Sequence, residues 1–183
     1  MNRLTTLTAA AIAVALAGPA LGQADPFKSQ LEAAKQQRLA GNLSQSAALV
    51  NGVLAKSPTN FRARYTQGLI ELDQGKPSVA VLTLNGAVAS LKGQPAPDPT
   101  IYNTLGYALM NQGRLDESGK AFQKGYAARK DLENGSQQKL LNNMSLLYRL
   151  KGDQRLAAAY LTEAARLGSP VARANVARQS SVR

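Results

Sequence analysis

The chain has 183 residues, is 44% hydrophobic and 5% aromatic, and contains no cysteine, histidine or tryptophan. Disulfides, thiolate or imidazole metal sites and histidine-dependent nucleophiles are therefore excluded, and no cofactor is expected. A net charge of +11 with pI near 10.2 points either to an anionic partner or to a basic, solvated surface.

Arg3 is the only charge before Asp25. An apolar run from Leu7 to Ala17 follows it, then Gly18-Pro19 and two small-residue exits, Ala20-Leu21-Gly22 and Gly22-Gln23-Ala24. That order is that of a secretory signal peptide, so residues 1–24 are expected to be cleaved. The run is short for a permanent span, which is the other reading. With no cysteine to lipidate, the mature chain is expected to be exported and soluble rather than lipid-anchored. The short, lightly charged signal looks like that of a Gram-negative bacterium, which makes the periplasm its destination.

Four segments then share one pattern, a helical stretch, a polar residue, Gly, a polar residue and a second helical stretch: RLAGNLSQSA, ELDQGKPSVA, LMNQGRLDES and RLKGDQRLAA. First helices are predicted near 27–40, 61–74, 99–112 and 136–151, and second helices near 44–56, 78–92, 116–131 and 154–167. Asp153 is placed to cap the last of these, and Asp116 starts its own. Gly-Gln-Pro-Ala-Pro-Asp at 93–98 and Glu-Asn-Gly-Ser at 133–136 read as connectors. Ser169-Pro170 can open a last helix, VARANVARQ, which has two arginines and no acid. Residues 170–183 are expected to form a capping helix and basic tail, with a docking tail as the other possibility.

The turn glycines Gly41, Gly75, Gly113 and Gly152 are spaced by 34, 38 and 39 residues. Seven residues before them stand Ala34, Gly68, Gly106 and Ser145; five after stand Ser46, Ala80, Ser118 and Ala157; twelve after stand Val53, Ala87, Gly125 and Ala164. All but Val53 are Gly, Ala or Ser, which lets helices approach closely. Nine after each glycine comes an apolar knob: Val50, Leu84, Phe122 or Leu161.

This register resembles the tetratricopeptide repeat over residues 27–169. YNTLGYALMNQGRLDESGKAFQKG is the segment most like the family pattern, whereas Ala33 and Gln37 depart from it. The resemblance implies an all-α, right-handed superhelical solenoid of about four helix pairs, with repeats near 27–60, 61–98, 99–137 and 138–169. It also implies a concave groove lined by first helices, which takes partner segments. Matched residue by residue, that lining is Lys28, Lys35 and Arg38; Arg62, Tyr65 and Leu69; Asn103, Tyr107 and Met110; and Lys139, Asn142, Asn143, Leu146 and Arg149. Lysine and arginine pair with carboxylates, asparagine bonds a peptide main chain, and tyrosine offers an apolar face, so an extended or helical acidic segment fits. Lys139 and Asn143 stand where some family members clamp a C-terminal carboxylate, although the full five-residue clamp is not present. The bland alternative is solvated basic residues, with Asn142 and Asn143 stabilising a helix start. Tyr102, Tyr126 and Tyr148 fall nearer the packing faces.

The expected role is therefore a non-enzymatic periplasmic scaffold or assembly factor. LLNNMSLLYRLKGD with SPVARANVARQ is similar to the repeat protein of tight-adherence (Flp) pilus assembly, over about the last third of the chain. That makes pilus, secretion or other envelope machinery candidates. The competing reading is a binder of anionic envelope polymer, wall glycan or acidic polysaccharide, because 13 Lys or Arg face 6 Asp or Glu from residue 99 onward. Nucleic acid is not an expected partner of an exported chain. Arrays of this family sometimes pair, so a homodimer is possible.

Overall fold

A computed structural model describes residues 25–91 and 98–180. The expected signal segment 1–24, most of the Pro-rich connector and the last three residues lie outside the described residues. The elements are α1 Lys28–Leu39, α2 Leu43–Lys56, α3 Phe61–Asp73, α4 Pro77–Ser90, α5 Pro99–Asn111, α6 Leu115–Ala127, α7 Asn134–Leu150, α8 Gln154–Arg166 and α9 Pro170–Ser180. A short 3-10 turn, Arg129–Asp131, follows α6.

Each pair is an antiparallel hairpin closed by a glycine in the left-handed region, with φ between 71° and 81° at Gly41, Gly75, Gly113 and Gly152. A side chain there would meet a steric penalty, which is why the repeat puts glycine at this point. Helix starts are fixed by side chains: Asn60, Asp98 and Asp153 accept from the backbone N–H of Ala63, Thr100 and Leu156. Ser169 caps α9 by accepting from Ala172, and Pro170 opens the helix at the position where its missing N–H costs nothing.

Two boundaries differ from the expected ones. α6 ends at Ala127 rather than 131, where Arg129 turns back and donates to the carbonyl of Tyr126. Glu-Asn-Gly-Ser is not a connector: Glu133, with extended backbone (φ −60°, ψ 151°), is the N-cap, and the next three residues form the first turn of α7. Gly135 is tolerated there because nothing packs on it. Asp116 caps nothing; its carboxylate reaches Lys151 at 2.6 Å.

Small residues set the spacing within each pair. A Cβ at Gly106 would stand 2.5 Å from Phe122 Cδ1, and one at Gly68 would stand 2.7 Å from Leu84. Phe122 and Leu84 are both fully buried, so the knob of the second helix fills the space that the glycine vacates. Beside this contact a serine ties the two helices together. Ser46 donates to the carbonyl of Ala34 (2.7 Å), Ser118 to Gly106 (2.8 Å) and Ser145 to Ala157 (2.8 Å). The second pair has Gly68 and Ala80 at those places and no such bond.

Along the array the backbones of the first helices α1, α3, α5 and α7 approach their successors, whereas those of the second helices of neighbouring pairs do not, and α6 and α8 meet only through long side chains. Rows of unequal spacing make a curved sheet of helices, concave on the side of the closer row. The apolar interior runs through it as successive clusters, two between the second and third pairs and one at each other junction.

Candidate functional site

On the concave side, α3, α5 and α7 enclose a pocket of about 350 Å³ lined by Leu69, Leu72, Asp73, Asn103, Thr104, Tyr107, Lys139, Asn142 and Asn143. Six of the residues read from the sequence as groove lining thus converge here. Asn142 and Asn143 also form the near wall of a second, wider pocket of about 780 Å³ between α7, α8 and α9. Leu146 and Arg149 lie in that second space, opposite Val171 and Asn175 of α9.

Within the first pocket, Asn143 Nδ2 donates to Asn103 Oδ1 at 3.0 Å, which locks α5 to α7. Asn142 Nδ2 donates to Ser169 Oγ at 3.0 Å, while its Oδ1 is buried without a hydrogen-bond partner. An orphaned buried acceptor of this kind costs about 1–3 kcal/mol. Both asparagines sit in the middle of α7, so they do not stabilise its start. Tyr107 is 39% exposed and presents its ring to the groove.

The other groove candidates have different surroundings. Arg38 forms a 2.6 Å ion pair with Asp73, joining α1 to α3 at the pocket's edge. Arg62 pairs with Asp25 at 3.1 Å, ahead of the array. Lys35 pairs with Glu32 on its own helix, and Lys28 is exposed in the first turn of α1. Tyr65 leaves the groove and packs between α3 and α5, its hydroxyl 3.2 Å from Thr104 Oγ1, and burial raises its pKa above the usual phenol range. Met110 is buried in the core.

The electrostatics of the two pockets follow from this pairing. Asp73 is the one acid among their lining residues, and Arg38 already neutralises it. Lys139, Arg149 and Arg178 are the lining cations. Outside this space Tyr160 stacks on Tyr148 and meets Tyr126 edge-on, with ring centroids 5.5 and 5.7 Å apart. Tyr126 donates to Glu163 at 3.1 Å while Arg129 lies 3.8 Å over its ring, so this cluster fastens α6 to α8. Sequence reasoning missed the α9 wall of the wider pocket, which Val171, Asn175 and Arg178 form.

No group of histidine, cysteine or carboxylate side chains suited to a metal occurs among the described residues. No described helix is long and apolar enough to cross a membrane. No curated protein sequence matches the chain. Among solved structures, PilF of Pseudomonas aeruginosa is similar in fold, with a TM-score of 0.69, 16% identity and coverage of 78% of this chain. The match spans 61% of that protein. MamA from Desulfovibrio magneticus RS-1 superposes with a TM-score of 0.61 at 22% identity, covering 77% of this chain and 75% of its own. MamA of strain AMB-1 gives 0.60 at 23% identity, covering 77% and 78%. The tetratricopeptide-repeat family model matches residues 31–98 and 65–133, more than half of the chain. Arrays of this family are interaction scaffolds that bind other proteins, and the all-helical hairpin series above has their architecture. The chain belongs to the tetratricopeptide-repeat family.

Proposed function

We propose that this chain is a non-enzymatic periplasmic scaffold that holds an acidic segment of another protein in its concave groove. Residues 1–24 serve as the export signal, residues 27–169 as the repeat array and residues 170–183 as its terminal cap. The supporting observation is the convergence of Leu69, Asn103, Tyr107, Lys139, Asn142 and Asn143 on one concave pocket whose only acid is neutralised. Tyr107 and Leu69 offer apolar contact, the asparagine pair offers a donor and an acceptor to a main chain, and Lys139 selects for carboxylate. Assembly of an envelope machine, such as a pilus or secretion apparatus, is the process this arrangement suits.

The test is capture from envelope extract by the wild-type chain beside a Tyr107→Ala, Lys139→Glu variant, at low and moderate salt. Both side chains are exposed, so helicity should be unchanged. A discrete protein retained by wild type and lost by the variant is the expected result. Salt-sensitive retention of acidic polysaccharide, indifferent to the variant, would transfer the role to the basic surface as a whole.

A further inference from the structure

Arg38, Arg62 and Lys151 are each spent on an acid about one repeat away along the chain. Two cations of α7, Lys139 and Arg149, have no acid within ion-pair reach among the described residues. Lys139 lines the pocket between α3, α5 and α7, and Arg149 lines the wider one between α7, α8 and α9. A helix turns by about 100° per residue, so Lys139, Leu146 and Arg149 fall within about 80° of one another around α7. Asn142 and Asn143, on the same face, are the ridge that both pockets share.

The wider pocket has a direction. Residues 142–149 of α7, 154–161 of α8 and 171–178 of α9 supply its walls. α8 runs against α7, and α9 folds back along α8, where Arg173 Nε donates to the carbonyl of Ala165. Arg149, Gln154 and Arg178 therefore gather at one end, Asn142, Leu161 and Val171 at the other, and Leu146 and Ala158 lie between. The space is a trough, cationic at its far end, apolar along its length and open to the first pocket across the asparagines. No acid stands among its lining residues.

Building on the function proposed above, in which the groove holds an acidic segment of another protein, we propose that the segment runs extended and diagonally across α7. One carboxylate meets Lys139, an apolar side chain enters the trough against Leu146, and a second carboxylate meets Arg149. Charge complementarity fixes the ends, because these are the two unpaired cations of α7 and no free acid repels an anion between them. The spacing of the acids follows from the helix. Lys139 and Arg149 are ten residues apart, which is about 15 Å along α7. An extended chain advances about 3.3 Å per residue, so the two acids of the partner stand about five positions apart. The amide side chains of Gln154 and Asn175 make no hydrogen bond among the described residues, and they favour an extended occupant, whose N–H and C=O groups are free. Val171, 60% exposed, and Leu146 offer apolar contact that an acidic polysaccharide, polar throughout, uses poorly.

Fluorescence anisotropy of labelled, end-blocked peptides on the full chain tests this. One peptide carries two glutamates about five positions apart with a leucine between them; the other has the same composition with the glutamates adjacent. The first should bind about tenfold more tightly, and Lys139→Glu and Arg149→Glu should each weaken it by about tenfold or more. Both side chains are exposed, so the circular dichroism of the variants should be unchanged. Exchanging one glutamate of the first peptide for lysine should restore binding to Arg149→Glu, and exchanging the other should restore it to Lys139→Glu. Equal binding of the two peptides, with Lys139→Glu harmful and Arg149→Glu silent, overturns the inference and leaves the acidic groove standing. Binding that ignores both substitutions removes the groove and the inference together. Binding of neither peptide overturns the inference and leaves the groove to be judged by capture from extract. Competition by alginate as effective as that by the first peptide would also overturn it, in favour of a polysaccharide.

Discussion

Replacing Gly106 by alanine adds one methyl group at the tightest contact of the array. In an exposed helix this change would stabilise by about 1 kcal/mol, because glycine is the poorer helix former. Here the new Cβ would stand 2.5, 2.6 and 2.9 Å from three ring atoms of Phe122. Carbon atoms rest at about 3.5–4.0 Å, so the overlap is near 1 Å on three atoms at once. The ring is fully buried and cannot swing outward, so the helices themselves must part. Overpacking of this kind costs about 1–3 kcal/mol, and a clash with a rigid ring belongs at the upper end. Subtracting the propensity gain leaves a net loss of about 1–2 kcal/mol, or roughly 3–6 °C in melting temperature for a chain of this size. Gly119→Ala is the internal control: its Cβ would meet Leu147 at 3.5 Å, an ordinary contact, so the propensity gain should remain and the protein should be stabilised. Thermal and urea denaturation followed by circular dichroism would read both. Equal effects of the two substitutions, or a stabilised Gly106→Ala, would refute the helix spacing on which the architecture rests.

The remaining predictions concern one bond and one buried acid. Ser118→Ala removes the donor to the Gly106 carbonyl and should cost about 1 kcal/mol; Ala80→Ser, which offers the same bond to Gly68 in the pair that lacks it, should recover a similar amount in urea titration. Failure of both would show that the serine tie is incidental. Glu71 is buried with one carboxylate oxygen unpartnered, and burial raises its pKa above the ordinary value of 4.5, against hydrogen bonds from Thr83 and Gln67. A raised carboxyl contributes its full stability below the unfolded pKa and loses it as pH rises through the folded one. Glu71→Gln should therefore melt higher than wild type at pH 7, with the gap closing as pH falls towards 4.5. A gap that does not change with pH would mean that Glu71 is solvated.

The helical hairpins could be read from the sequence because the determinants are local: a glycine that alone tolerates positive φ, and small residues at −7, +5 and +12 from it. The same register brought Leu69, Asn103, Tyr107, Lys139, Asn142 and Asn143 to one pocket. It did not foresee the acids that the fold supplies to Arg38 and Arg62, Asp73 and Asp25. Those partners stand 35 and 37 residues away, close to one repeat length, as do Lys151 and Asp116. Helical periodicity cannot see such pairs, whereas a comparison of equivalent positions in adjacent repeats would have found them. Tyr65 leaves the groove for a related reason: it packs against apolar clusters built from α4 and from α5 of the next repeat, and nothing in its own helix announces that.

The unequal spacing of the two helix rows has a mechanical side. Cross-repeat ties such as Asn103 with Asn143 and Arg38 with Asp73 lie along the inner row, while among the described residues the outer helices are tied from one pair to the next only at the far end, where Tyr126 and Arg129 meet Glu163. Over the first three pairs stiffness is therefore concentrated on one surface, as in a leaf spring backed on one side only. Opening the curvature strains the inner ties, whereas tightening it meets resistance only once the inner side chains jam. On the function proposed above, a segment lodged in the groove would act as a shim against the inner row, so the array would bend least when occupied.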